Sequence, residues 1–226
     1  MSEALSLELV DVESAKRQAL DDGSTSTRAG LFKKAVLGGG TFVAGGLLIG
    51  GLPKLALAAP SARQDAEILN FALFLEYLES EFYIRAVDNG ILSGDLLAFA
   101  TTVRDHEVAH VEFLRSALGG AAAAKPTFDF GATVTDVDQF VATSVVLEDT
   151  GVAAYNGQAT RLTKPTLAAA ASIVSVEARH AAWIRHIAFG PAYDGAAQYP
   201  APTAFDRLAT ARQITKAVES TGFVQG

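Results

Sequence analysis

Glu107-Val-Ala-His110 and Glu177-Ala-Arg-His180 are two short stretches that share one pattern. In each, a glutamate and a histidine stand three residues apart, which places both side chains on the same face of a helix. About thirty residues before each stretch, a Leu-Glu pair is followed by a tyrosine seven positions after the glutamate. These upstream residues are Glu76 with Tyr83, and Glu148 with Tyr155. The chain therefore repeats one motif twice: a helix with one glutamate, then a helix with Glu-x-x-His.

The charged residues of this motif lie within the apolar stripes of four predicted helices. Around Glu107, for example, apolar residues recur every three or four positions from Ala100 to Leu114, and Glu107 and His110 occupy two places in that series. This spacing is typical of the helix face that packs into a bundle core. Each glutamate also falls near the middle of its helix, so we expect four carboxylates to meet at one depth.

Buried glutamates destabilise a fold unless their charge is compensated. An unpaired ionised carboxylate in an apolar core costs roughly several kcal/mol. Two divalent cations would neutralise four carboxylates, and a carboxylate-rich site with two imidazoles suits Fe or Mn by ligand hardness. The sequence therefore predicts two Fe ions or two Mn ions as cofactors. The predicted metal ligands are Glu76, Glu107, His110, Glu148, Glu177 and His180. A single Glu-x-x-His is more typical of an exposed pair, and it is the repetition that favours a metal site.

This ligand pattern resembles the ferritin-like di-metal carboxylate superfamily, over roughly residues 63–190. The run Asp65-Ala-Glu-Ile-Leu-Asn-Phe-Ala-Leu73, continued by Leu75-Glu-Tyr-Leu-Glu79 and Phe82-Tyr83, is similar to the exported ferritin-like domain family that includes the desiccation-related proteins. The resemblance implies that Glu107 and Glu177 bridge the metals, that Glu76 and Glu148 are terminal ligands, and that His110 and His180 bind one metal each.

The fold class expected from this resemblance is all-α, a ferritin-like four-helix bundle over residues 59–190. Caps and helix breakers predict helices from about Arg63 to Val87, from Ser93 to before Gly119, from Thr135 to near Leu162, and from Lys164-Pro165 to Phe189. Residues 119–134 could span a 25-residue helix at roughly 3.3 Å each, which favours a long crossover between the second and third helices over a loose loop. In the C-terminal extension, residues 191–226, a shorter helix from about Ala204 to Glu219 is expected outside the bundle. Its predicted apolar face is Leu208, Ala211, Ile214 and Val218.

Residues 1–58 have the order of a secretory leader. A basic segment precedes an apolar, Gly-rich run from Ala35 to Leu52, and the small residues Ala56 and Ala58 follow. The segment 27–33 resembles a twin-arginine signal in which Ala29 replaces the second arginine. We expect export to the periplasm, cell wall or exterior after cleavage near Ala58. The alternatives are an ordinary secretory leader and an uncleaved N-terminal anchor, which would be the only contact with a membrane.

Composition excludes several classes of function. The chain has 226 residues, a formal net charge of −7 and no cysteine. The negative charge argues against nucleic acid as a partner. The lack of cysteine excludes disulfides, thiolate metal sites and cysteine nucleophiles. A homo-oligomer is compatible with the sequence.

The fold by itself does not specify a reaction. The six predicted ligands favour a redox site whose partner is a small oxidant or Fe(II), which would make the protein a di-iron or di-manganese oxidoreductase of ferroxidase, peroxidase or catalase type. The alternative is a non-catalytic desiccation- or stress-related protein with a structural or vestigial metal site, and iron storage in a cage is a third. Tyr83 and Tyr155 are candidate catalytic residues, as hydrogen-bond donors to ligand carboxylates. His106 is expected on the outer face, and His186 on the surface or at the bundle end.

Overall fold

The computed structural model describes residues 59–190 and 192–225. In this part of the chain the helices are α1 (Ala62–Asp88), α2 (Gly94–Leu118), α3 (Val137–Gln158), α4 (Lys164–Phe189) and α5 (Ala211–Thr221). Two short strands, β1 (Thr127–Phe128) and β2 (Val224–Gln225), pair antiparallel, with Phe128 opposite Val224. Within the same ranges, no helix combines the length and apolar character that a membrane span needs. The predicted leader and its cleavage site lie outside the described residues.

The bundle helices begin and end close to their predicted limits, with differences at α3. Ser61 caps the start of α1, where its hydroxyl accepts the backbone N–H of Gln64 at 3.2 Å. The cap of α3 is Asp136 and not Thr135, because the carboxylate of Asp136 accepts the N–H of the third helical residue. This helix ends at Gln158, short of the predicted end, because a 3₁₀ turn follows over Ala159–Arg161.

The four long helices form two antiparallel hairpins. α1 packs mainly on α2, and α3 packs mainly on α4. Between the hairpins, Tyr83 contacts Glu148 and Glu76 contacts Tyr155. Residue numbers therefore increase along α1 in the direction in which they decrease along α3, so these two helices are antiparallel. α2 and α4 are antiparallel by the same criterion. The predicted four-helix bundle is confirmed, and this arrangement brings the middles of all four helices together.

Residues 119–136 join the two hairpins and run beside α1. The side chain of Asn70 accepts the N–H of Ala123 at 2.7 Å. Asn89 donates its amide to the carbonyl of Val134 at 2.8 Å. The two asparagines are 19 positions apart, or about 28 Å of helix. The connection therefore spans most of the length of α1, and the predicted crossover is confirmed.

An aromatic cluster fills one end of the bundle beside Tyr83. Phe82 is fully buried, stacks on Phe140 at 5.3 Å between ring centroids, and meets Phe130 edge-on at 5.5 Å. Tyr83 contacts both Phe99 and Phe140 in edge-on geometry. Each such pair contributes about 0.5–1.5 kcal/mol beyond the buried area. The cluster holds the ring of Tyr83 in a fixed position, with its hydroxyl directed at the bundle centre.

The C-terminal extension differs from its prediction. Its helix begins at Ala211 and not at Ala204, because Thr210 forms a capping box that starts a helix at the next residue. Residues 202–210 are irregular, and the N–H of Ala209 donates to a carbonyl of α3 at 3.0 Å. Leu208 was therefore wrongly assigned to an apolar helix face, and 74 % of it is exposed. The remaining positions of that stripe hold α5 against α3, with Ile214 and Val218 buried.

Gly157 of α3 marks the point where this C-terminal segment lies directly on the bundle. A Cβ at position 157 would be 1.8 Å from the backbone oxygen of Ala209. Alanine inside a helix normally stabilises by about 0.5–1 kcal/mol relative to glycine. Here we expect Gly157→Ala to destabilise by about 1–3 kcal/mol, because backbone atoms must move. Calorimetric melting would measure it, with Gly120→Ala as the control, since a Cβ there meets nothing within 4 Å among the described residues. A melting temperature for Gly157→Ala equal to or above wild type would contradict the close contact.

Candidate metal centre

Each of the four long helices contributes one glutamate to the centre of the bundle. Glu76 of α1 is 1 % exposed, and Glu107, Glu148 and Glu177 of α2, α3 and α4 are fully buried. The two histidines predicted with them, His110 and His180, lie in the same cluster. The structure thus brings all six sequence-predicted metal residues together.

One side of the cluster, called here the His110 corner, consists of His110, Glu76, Glu107 and Glu177. The Nδ1 atom of His110 lies 3.3 Å from Oε2 of Glu76 and 3.2 Å from Oε2 of Glu107. It lies 3.1 Å from Oε1 of Glu177. One imidazole nitrogen therefore faces three carboxylate oxygens from three helices.

The other side, called the His180 corner, consists of His180, Glu148, Glu107 and Glu177. Nδ1 of His180 lies 3.2 Å from Oε1 of Glu107 and 3.3 Å from Oε2 of Glu148. Oε2 of Glu177 is farther away, at 3.9 Å. Glu107 and Glu177 therefore present one oxygen to each corner, whereas Glu76 and Glu148 each belong to one corner only.

The donor atoms of both corners fit a metal ion. Among the described residues, six buried side-chain atoms lack a hydrogen-bond partner, and all belong to this cluster. They are Oε2 of Glu76, Oε1 of Glu107, Oε2 of Glu148, both oxygens of Glu177, and Nδ1 of His180. Such atoms are rare in folded proteins and are expected where an ion or a water molecule binds. Neighbouring ligands about 2.1 Å from an octahedral ion are roughly 3.0 Å apart, close to most of the distances within each corner.

A tyrosine of each hairpin donates a hydrogen bond to a glutamate of the other hairpin. The hydroxyl of Tyr83 donates to Oε1 of Glu148, and that of Tyr155 donates to Oε1 of Glu76, both at 2.5 Å. In both glutamates the second oxygen, Oε2, is the one that faces a histidine. Burial and the nearby carboxylates raise the pKa of both tyrosines well above 10, so both remain donors at neutral pH.

Protons compensate part of the charge in the cluster when no cation is bound. Burial, with the charge of Glu177 next, raises the pKa of Glu107 well above its usual range. Burial and the charge of Glu76 raise the pKa of Glu177 to about 7. Burial opposes charge on His110 and His180, but their carboxylate neighbours outweigh it and raise both pKa values. A bound cation would displace these protons, so metal uptake and proton release are coupled.

A comparison with protein-family models matches residues 64–189 to the ferritin-like domain. The chain belongs to this family. The matched residues cover α1 from its third residue, the whole of α2, α3 and α4, and all six members of the cluster, while α5 lies outside the match. A search of curated proteins found no match. The closer similarity to desiccation-related proteins stays a prediction.

Within the described residues, this ferritin-like domain holds a fifth buried glutamate, Glu79, which the sequence analysis did not include among the ligands. Glu79 is 2 % exposed, and burial followed by the charge of Glu177 raises its pKa well above the usual range. A Cβ at Gly151 would lie 3.2 Å from Oε2 of Glu177 and 3.4 Å from Oε1 of Glu79. The glycine therefore leaves room for two carboxylates beneath α3. The available signal was the spacing, because Glu79 stands three positions after Glu76, as His110 does after Glu107.

Two further histidines of the domain lie at its surface, and one of them contacts the cluster. His106 is exposed, as an outer-face position predicts, but its Nδ1 lies 2.8 Å from Nε2 of His180. His186 is exposed and contacts Tyr193 at 2.7 Å, away from the cluster. Sequence reasoning missed the contact of His106 because it depends on how closely α2 and α4 approach.

Proposed function

We propose that the ferritin-like domain binds two divalent cations, Fe or Mn, one at each corner. The observation that carries this proposal is the set of six buried atoms that have no hydrogen-bond partner within the described residues and belong to one carboxylate–imidazole cluster. Glu76 and His110 would hold one ion, Glu148 and His180 the other, and Glu107 and Glu177 would be shared. Oxygen-rich sites with two imidazoles favour Fe and Mn over metals that prefer soft sulfur ligands.

We further propose that the centre is a redox site for a small oxidant or for Fe(II). Bound Fe or Mn ions would supply electron exchange with peroxide or oxygen, or with Fe(II) as substrate. The protein limits access to the cluster, because each of the four glutamates in the cluster is at most 1 % exposed. The side chain of His110 is 13 % exposed and offers the most open approach of the six residues.

The tyrosines give the terminal glutamates a defined orientation for this role. Each hydroxyl keeps its proton because its pKa is raised by burial, and it donates that proton to the oxygen that faces away from the histidine. The other carboxylate oxygen is then free to bind an ion. Tyr83 and Tyr155 also place an O–H group next to each corner.

The nearly complete burial of the centre also favours the alternative function, a structural metal site in a non-catalytic stress- or desiccation-related protein. Glu107, Glu148 and Glu177 have no exposed surface. Complete burial of the ligands is expected where a metal ion only stabilises the fold. The two functions differ in turnover and not in metal content. Export, proposed from the leader-like residues 1–58, is common to both.

The test is elemental analysis of the protein produced natively in medium that contains Fe and Mn. We expect about two ions per chain, an N-terminus close to Ala59, and turnover of peroxide or oxidation of Fe(II). Two ions without turnover would support the structural alternative. A metal-free protein that turns over neither substrate would refute the proposed centre. Glu112→Gln, on the exposed face of α2, is the matched control and should retain metal and turnover.

A further inference from the structure

The ring of His180 contacts a second imidazole on the side that faces away from the carboxylates. Nδ1 of His106 lies 2.8 Å from Nε2 of His180, while the ring centroids are 5.1 Å apart and the planes differ by 19°. Because the centroids are much farther apart than the nitrogens, the rings meet end to end and close to one plane. This is the geometry of a hydrogen bond directed along an in-plane lone pair.

The contacts of His180 assign its proton when an ion is bound. Nδ1 faces Glu107 and Glu148 at 3.2 and 3.3 Å and is the nitrogen that would bind the ion. A nitrogen that binds a metal carries no proton, so the proton of neutral His180 lies on Nε2. Nε2 then donates to Nδ1 of His106, which accepts. The exposed His106 thereby selects one tautomer and one ring angle for His180.

The other corner lacks this arrangement. In the repeated motif Glu107 corresponds to Glu177 and His110 to His180, so the position of His106 on α2 corresponds to Val176 on α4. Valine cannot accept a hydrogen bond. Within the described residues, the side-chain contacts of His110 all use Nδ1, and its Nε2 has no hydrogen-bond partner.

We propose that His106 is a positioning residue for the metal centre and makes the His180 corner the tighter of the two. The inference rests on the proposed function, because it concerns the ions that the clustered residues would bind. Partners that orient a metal-binding histidine typically contribute 10–100-fold in affinity. Since His106 is exposed, its removal does not leave a cavity in the core.

The experiment is a calorimetric titration of Mn(II) into the metal-free full chain. For wild type we expect two binding steps of different affinity. His106→Val, which copies the valine of the other corner, should weaken the tighter step by about 10–100-fold and leave the weaker step unchanged. His106→Asn should restore the tighter step, because its side-chain oxygen can accept at the place of Nδ1. His186→Val is the matched control, an exposed histidine whose contact is with Tyr193.

The outcomes separate this inference from the proposed function. The inference would be overturned if wild type and His106→Val both bound two Mn(II) ions and each binding step had the same affinity in the two proteins. The proposed function would then remain intact. Equal weakening of both steps, or a loss that His106→Asn does not restore, would also overturn it. A wild-type chain that binds neither Mn(II) nor Fe(II) would refute the proposed function, and the inference with it. Melting curves of the metal-free variants should match wild type, which shows that any change in affinity is not a loss of fold.

Discussion

Glu107→Gln is expected to abolish the tight uptake of both ions, whereas Glu148→Gln should abolish only one. Glu107 places Oε2 at the His110 corner and Oε1 at the His180 corner, while Glu148 faces His180 alone. Glutamine keeps the length of the side chain but removes the charge and one acceptor oxygen. We expect affinity at each affected corner to fall by more than about 100-fold, beyond the effect of an outer partner.

Equilibrium dialysis against Mn(II), followed by metal analysis, would count the retained ions. We expect about none for Glu107→Gln and about one for Glu148→Gln, with Glu112→Gln retaining the wild-type number. The same loss for Glu107→Gln and Glu148→Gln would contradict the shared role of Glu107. Metal-free Glu107→Gln should also melt no lower than metal-free wild type at pH 8, because burial already disfavours the charged form of Glu107. Misfolding is thereby separated from ligand loss.

The second large effect is a reversal of pH dependence on metal binding. Without metal, the melting temperature should fall as the pH rises from about 5 to 8. The pKa of Glu177 is raised to about 7, so the folded chain holds a proton that the unfolded chain releases near pH 4.5. That difference removes roughly 3 kcal/mol of stability across this window. Glu107, whose pKa is also raised, acts in the same direction.

The histidines extend this fall, and one glutamate opposes it only in acid. The raised pKa values of His110 and His180 give stability that is complete below about pH 6.5 and is lost as the pH rises towards their folded values. Burial opposes the charged form of Glu76, but the hydrogen bonds and charge of His110 and its other hydrogen-bond partners together outweigh burial and lower the pKa. Its contribution is present above about pH 4.5 and is lost below that, outside the window.

A bound cation should invert the slope, because the ligands must be deprotonated and metal affinity therefore rises with pH. Calorimetry at pH 5, 6, 7 and 8, with a chelator or with saturating Mn(II), would measure both curves. The gap between the melting temperatures of the loaded and metal-free protein should widen with pH. Parallel curves would show that the cluster does not exchange protons for metal.

The bundle and its cluster were predictable from the sequence because both depend on the spacing of residues within single helices. Glu-x-x-His sets two side chains on one helix face, and the apolar stripe around it defines that face as internal. The crossover followed from the reach of residues 119–134. The contact of His106 could not be predicted in this way, because successive helical residues point about 100° apart and His106 therefore points away from the face of Glu107. Only the close antiparallel approach of α2 and α4 brings it to His180.

Glu79 and the C-terminal helix show two other limits of local spacing. Glu79 corresponds in the repeat to Gly151, so the repetition that pairs Glu76 with Glu148 gives no support to Glu79. Its burial depends on the room that Gly151 leaves, and Gly151 belongs to another helix, α3. In the C-terminal extension, Leu208 fits a helical stripe. The capping box of Thr210 and the bond from Ala209 to α3 nevertheless start the helix later.

The reciprocal tyrosine bonds make the two repeats dependent on each other. Tyr83 orients Glu148, and Tyr155 orients Glu76, so neither hairpin carries the complete surroundings of an ion. Loss of either hydroxyl would free a carboxylate on the opposite side of the bundle. A substitution at either tyrosine is consequently expected to alter the surroundings of an ion that the opposite half of the chain helps to hold.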